Sequence, residues 1–303
     1  KNAIPGQRVL ARVYKKRKGF AEAQVLKLLL ESKNAVEVCC KHYWICSKIQ
    51  SLSYHEQIKE KCDQVKDAFI RLGGFTDFQL DAVCKAEQIY NYRNKMEFTF
   101  SPNRWVLDSE PEGVDKSFAL GLHIPGRFDK ILDIHNCHIQ PEIGNRILSV
   151  ARDVCLEHPE LRPYDPRSHI GFLRFLMLRY GANTGDLMVN IVTAYHDINK
   201  LSPLIDTLID KFPEITSFVN NVNTRKADVA FGEYETLLYG EPFIQEKIGG
   251  LTFEISANSF FQTNTIQGEI LYKEVEKASE LKGEEIIYDL YCGTGTIGLY
   301  LSK

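Results

Sequence analysis

Eight residues near the end of the chain, Asp289-Leu290-Tyr291-Cys292-Gly293-Thr294-Gly295-Thr296, combine an acid, a ring and two glycines. Glycine lets backbone come close to a ligand where a side chain would block it. In an open α/β sheet, ligands settle at the carboxyl ends of the strands. A buried strand Ile286–Tyr291 running into this turn therefore makes a candidate cofactor site, and the frame is read as fitting a nucleoside without a pyrophosphate better than a dinucleotide. Cys292 is expected to be a small buried residue of the turn, not a nucleophile. A second candidate is Gln262, which follows Phe260 and Phe261. Two rings there suit core packing, but an amide beside them needs a partner if it is buried.

The third group with chemical potential is sulfur. Cysteines stand at positions 39, 40, 46, 62, 84, 137, 155 and 292 of 303 residues, too few for a small disulfide scaffold. Cys40 and Cys46 have a C-x5-C spacing, and Cys137 stands in His135-Asn136-Cys137-His138-Ile139. After Cys46 the next cysteine is Cys62. Reduced thiols are the default for such a chain, and a metal site stays open at this point.

Positive charge is local. The chain carries 37 Lys and Arg against 40 Asp and Glu, a net charge of −3, which no strongly basic nucleic-acid binder shows. Yet Arg8, Arg12, Lys15, Lys16, Arg17 and Lys18 crowd the first twenty residues, and a basic patch on a near-neutral protein still holds phosphates. Arg93, Asn94 and Lys95 lie beside Tyr90 and Tyr92, with Arg174, Arg179, Arg225 and Lys226 further on.

These groups need elements to position them. Arg8–Tyr14, a basic turn Lys15–Gly19 and Phe20–Leu30 read as strand, turn, strand, with the arginines on the wet face of a half-buried strand. Tyr54–Leu72 has helical spacing and ends at Gly73-Gly74. Met96, Phe98 and Phe100 share one face of a strand, opposite Lys95, Glu97 and Thr99. Leu187–Thr193 is a second strand, and Ser202–Phe212 suits a helix. Gly250–Phe261 is a strand entering an aromatic turn, Thr265–Leu281 a helix with Ile270, Leu271, Val275 and Ala278, and Ile297–Leu301 the start of another. No apolar run is long enough to span a membrane.

Four segments, in order, resemble the uracil-5 RNA methyltransferase family. They are Pro5–Val9 with Lys18–Ala23, similar to that family's N-terminal TRAM barrel; Tyr92–Phe98; Asn258–Asn264; and Tyr288–Leu301. The resemblance covers nearly the whole chain. It implies an α/β protein in three parts: residues 1–34, a partial β-barrel of TRAM or OB-like type; 35–248, a central α+β RNA-binding domain with the cysteine segment; and 249–303, the start of a Rossmann-like methyltransferase domain. It implies S-adenosylmethionine as cofactor, contacted by the Gln262 amide and lined by Tyr291, Gly293, Gly295 and Thr296, although family members often carry asparagine at the last position. Many members hold an iron–sulfur cluster on a C-x5-C-x2-C segment plus a distant cysteine, which points to Cys40, Cys46 and Cys137 here. A cluster normally takes four thiolates, so a three-ligand or substituted cluster stands against leftover buried cysteines, the preferred reading. Arg93 and Lys95 then suit phosphate contacts to a splayed single strand, while a surface ion pair with Glu97 is the plain alternative.

In the family a cysteine thiolate adds to carbon 6 of uracil and a base later removes the carbon 5 proton. Both lie beyond the cofactor motif, so the chain is expected to stop short of them and no catalytic residue is assigned within it. The implied substrate is rRNA or tRNA. A monomer in the cytoplasm, or in an organelle, is expected. The alternatives are a non-catalytic RNA-binding module and a methyltransferase acting on another substrate.

Overall fold

The computed structural model describes residues 3–227 and 229–302. The chain divides into two compact units, Lys1–Glu87 and Gln88–Lys303.

In the first unit, β1 (Arg8–Arg17) and β2 (Phe20–Leu30) form an antiparallel hairpin. The basic run continues the strand instead of turning: Lys15 pairs with Glu22 across the hairpin and their side chains meet at 2.7 Å. The reversal is confined to Lys18-Gly19, where Gly19 takes φ +95°. Two strands are all that this sheet contains among the described residues, so the expected barrel is not seen. Of the face expected to be half buried, Val9 is partly buried while Ala11 and Val13 are exposed, and Leu10 and Tyr14 on the arginine face are exposed as well. One hairpin has no second layer to cover either face. Beyond it lie α1 (Tyr43–Cys46) and α2 (Tyr54–Arg71). The second ends at Gly73-Gly74 as its sequence foretold, Gly74 adopting φ +71°.

The second unit is built on an eight-stranded mixed sheet. Its strands are β3 (Lys95–Ser101), β4 (Arg104–Trp105), β5 (Ala119–His123), β6 (Ile131–Asp133), β7 (Leu173–Tyr180), β8 (Leu187–Thr193), β9 (Ile215–Val222) and β10 (Tyr234–Gly240). Their spatial order is β10-β9-β8-β7-β3-β5-β6-β4. Helix α3 (Glu142–Glu157) precedes β7, and α4 (Ile198–Lys211) is the crossover that makes β8 and β9 parallel. Alternation decides what is buried: Met96, Phe98 and Phe100 of β3 are in the core, as are Ile147, Leu148 and Ala151 of α3 and Leu201, Leu204 and Leu208 of α4.

A second hairpin follows, β11 (Phe243–Ile248) and β12 (Leu251–Ser256), and it spans the 248/249 division read from the sequence. Helices α5 (Thr265–Ser279) and α6 (Thr296–Leu301) complete the unit. Met188 and Val219 of the sheet, Ile244, Ile248, Phe253 and Ile255 of the hairpin, and Phe261, Tyr272 and Tyr300 form one cluster. The buried side of α5 is Thr265, Gly268 and Tyr272, while Leu271 is half exposed. Among the described residues no helix is long and apolar enough to cross a membrane.

Candidate cofactor site

The segment 257–265 joins β12 to α5 and runs against the central sheet. Its two rings part company: Phe261 is 4% exposed and lies 5.9 Å from Phe253, whereas Phe260 is 67% exposed. Core packing therefore holds for one ring and not for the other. Gln262, partly buried, follows directly, and among the described residues no hydrogen bond to its side-chain amide is formed. A Cβ placed on Gly268 of α5 would come within 3.2 Å of the Gln262 Cβ, so the small residue lets the helix close over it.

The glycine turn adjoins this segment. Thr294 Oγ1 donates to the Phe260 carbonyl at 3.3 Å, two residues before Gln262. Gly293 and Gly295 take φ +56° and +73°, a region that costs any L side chain about 1–2 kcal/mol. A Cβ at Gly293 would meet nothing, so backbone conformation rather than space calls for glycine there. Gly295 caps α6, and its N–H donates to the Cys292 carbonyl at 2.8 Å.

Three expectations about this turn need correction. Residues 286–291 are not a buried strand: Ile286, Tyr288 and Leu290 are exposed, and Tyr291 is 98% exposed. No strand among the described residues pairs with them, and an extended segment without a ladder or covering layer stays solvated. Cys292 is exposed rather than buried, for the same reason. Thr296, a candidate for lining the cofactor, is buried with its hydroxyl 2.8 Å from that of Tyr272. Lastly, Gly293, Gly295 and Gly298 stand at G-x-G-x-x-G spacing, so the glycines alone do not separate a nucleoside site from a dinucleotide one.

Several polar side chains missed in the sequence hold the 257–265 segment. Asn94, 6% exposed, donates from Nδ2 to the Gln262 carbonyl and to Thr265 Oγ1, each at 2.8 Å, and its backbone N–H donates to the Thr263 carbonyl at 2.8 Å. Thr265 in turn donates to Glu246 Oε2 at 2.7 Å. Arg179 donates to the Ser259 carbonyl at 2.6 Å and to the Ala257 carbonyl at 3.4 Å. Burial brings the Arg179 guanidinium down to about 10, against an opposing pull from Glu97, so it stays charged near neutrality. Asn258 donates to Asn221 Oδ1 at 3.0 Å, and Asn221 to Asn190 Oδ1 at 3.1 Å.

The basic residues sort themselves accordingly. Arg174 is buried and donates to the carbonyls of Asn223, Arg225 and Ala227, with its guanidinium 4.4 Å above the Tyr164 ring. Arg174 and Arg179 are thus braces for backbone, not phosphate contacts, because a planar fork of five donors satisfies buried carbonyls well. Arg225 pairs with Glu233 at 2.9 Å. Lys95 makes the ion pair with Glu97, at 2.7 Å, and Arg93 Nε donates to the Lys95 carbonyl at 3.1 Å.

The cysteine set is incomplete as a cluster site. Cys40 and Cys46 belong to the first unit and Cys137 to the second. Within each unit no three His, Cys, Asp or Glu come together among the described residues. Burial, then the neighbouring sulfurs of Cys46 and Cys39, push the Cys40 thiol up, and its backbone N–H is held by Gln50 Oε1 at 3.2 Å. Cys137 is buried, with its N–H donated to Asn145 Oδ1 at 2.9 Å. These residues do not supply the four thiolates a cubane needs.

No protein-family model matches the chain. Its sequence is 42% identical over 306 residues to an uncharacterized RNA methyltransferase of Chlorobaculum tepidum, covering 99% of this chain and 63% of that protein. Uncharacterized RNA methyltransferases of Porphyromonas gingivalis and Bacteroides thetaiotaomicron match at 38% and 36% identity, with 66% and 67% of their lengths covered. The chain thus spans roughly two thirds of the relatives it matches. In fold it is similar to the Pyrococcus abyssi tRNA (uracil-54, C5)-methyltransferase crystallised with S-adenosyl-L-homocysteine, with a TM-score of 0.74 at 24% identity over 99% of this chain and 64% of that one. By sequence, this chain belongs to the family of RNA methyltransferases that these relatives represent.

Proposed function

We propose that the protein containing this chain methylates carbon 5 of uridine in rRNA or tRNA, with S-adenosylmethionine as donor. The observation that carries this reading is the contact of the glycine turn with the Phe260–Gln262 run, which sets an unengaged amide beside exposed backbone. The likeness in fold to the Pyrococcus abyssi uracil-5 methyltransferase supports it.

Bound there, S-adenosylmethionine would supply an electrophilic methyl group on sulfur. Gln262 would orient it through the amide, with the Gly293–Thr296 backbone and Tyr291 lining its other portions. The exposed Phe260 ring offers a stacking surface for a base drawn out of its helix. Arg93 and Lys95 would meet RNA phosphates at the rim, in addition to the Lys95–Glu97 pair. The thiolate and the base of the reaction are assigned to sequence outside these 303 residues. In this reading the hairpin β1–β2 belongs to a TRAM-type barrel, residues 35–248 to the RNA-binding part and 249–303 to the methyltransferase part. The protein acts as a monomer in the cytoplasm.

The test is methyl transfer by the full-length protein, using labelled S-adenosylmethionine and unmodified rRNA and tRNA. Label recovered as 5-methyluridine is expected. Label in another nucleoside, or none from a protein that binds RNA, would contradict the proposal.

A further inference from the structure

We infer that Asn94, acting with Thr265 and Glu246, is the positioning residue that aims the Gln262 amide at the cofactor. This rests on the function proposed above. Asn94 stands just ahead of β3 in a run, Arg93-Asn94-Lys95, whose charges invite a reading as RNA contacts. Its side chain turns the other way, into the protein. Both hydrogens of its amide are spent, one on the Gln262 carbonyl and one on Thr265 Oγ1. Thr265 passes its own hydrogen to Glu246, so every donor along the relay points towards one buried carboxylate. That carboxylate, 1% exposed, also accepts from the backbone N–H groups of Ala182 at 2.7 Å and of Asn183 and Lys247 at 2.9 Å.

Four parts of the second unit therefore meet at this relay: the approach to β3, the β7–β8 turn, β11 and the start of α5. A backbone carbonyl pinned one bond away from a side chain's own Cα fixes the direction in which that side chain leaves. The central sheet, rather than the glycine turn, sets where the amide goes. A relay this buried holds one arrangement or fails, because each member left unpaired bears its full desolvation cost.

The experiment is a double-substitution cycle on full-length protein, read as S-adenosylhomocysteine affinity by calorimetry, with KM and kcat for S-adenosylmethionine alongside. Asn94→Asp keeps the shape and removes both donated hydrogens. It is expected to weaken S-adenosylhomocysteine about tenfold and raise KM for the donor similarly, with kcat and RNA affinity within twofold. The same substitution made on Gln262→Ala is expected to add less than twofold, because there is no longer an amide to aim.

Thr265→Val, which breaks the relay at its middle, should follow Asn94→Asp, while Thr265→Ser, which keeps the hydroxyl, should restore affinity. This pair carries the test should Asn94→Asp not fold. A full tenfold loss from Asn94→Asp on the Gln262→Ala background would overturn the inference, as would equal affinities for Thr265→Val and Thr265→Ser. Failure of the unsubstituted protein to bind S-adenosylhomocysteine at all would instead overturn the proposed function.

Discussion

Two segments come together at the candidate site, and they are held in opposite ways. Residues 257–265 are tied down by buried side chains of the central sheet, among them Asn94, Arg179 and Glu246, with Phe261 sunk in the core. Residues 286–295 carry their aromatic and aliphatic side chains in solvent and reach the first segment through Thr294, which donates to the Phe260 carbonyl. Half of the site is thus built by the sheet in advance. The other half rests on glycine conformation and lacks a covering layer among the described residues.

Cysteine reactivity gives the widest contrast between the two. On α3, burial pushes the Cys155 thiol far up, against an opposing pull from Arg152, so little thiolate forms near neutrality. Cys292 is exposed at the glycine turn. A thiol reagent at pH 8 should label Cys292 in the native protein and Cys155 only after denaturation, as peptide mass spectrometry would read. Equal labelling would erase the distinction.

The next effect is on stability. Glu246→Ala strands three backbone N–H groups and the Thr265 hydroxyl, which should cost about 3 kcal/mol or more in chemical denaturation. Phe261→Ala should cost about 3–4 kcal/mol for the cavity it leaves. Gly295→Ala has space for its methyl group but not the backbone freedom, so a loss of about 1–2 kcal/mol, confined to α6 and its cap, should appear in hydrogen exchange. Phe260→Ala should change stability by less than about 0.5 kcal/mol while weakening RNA binding in a filter assay. A large unfolding effect at Phe260 would mean that its ring is not the solvated one.

The sequence was informative where periodicity and local chemistry decide the outcome. The alternation of β3, the whole of β8 and the extent of α2 all follow from side-chain spacing. The resemblance pointed to Gln262 and the glycine turn, and the structure brings their neighbourhoods together. What stayed hidden depends on distant partners. Asn94 and Gln262 are 168 residues apart, and nothing in Tyr92–Phe98 tells an inward asparagine from one that meets phosphate. Arg174 and Arg179 misled for the same reason: a charge looks solvated until carbonyls from other loops are seen around it. The strand read at Ile286–Tyr291 has the right composition, but burial is a property of neighbours, and none lies alongside.

The most direct test of the account is the structure of the full-length protein bound to S-adenosylhomocysteine. It predicts the Gln262 amide hydrogen-bonded to the ligand, with the Asn94–Gln262 and Arg179–Ser259 bonds as they stand here. Ligand seated on the glycine turn with Gln262 directed away, or the 257–265 segment released from Asn94, would contradict it.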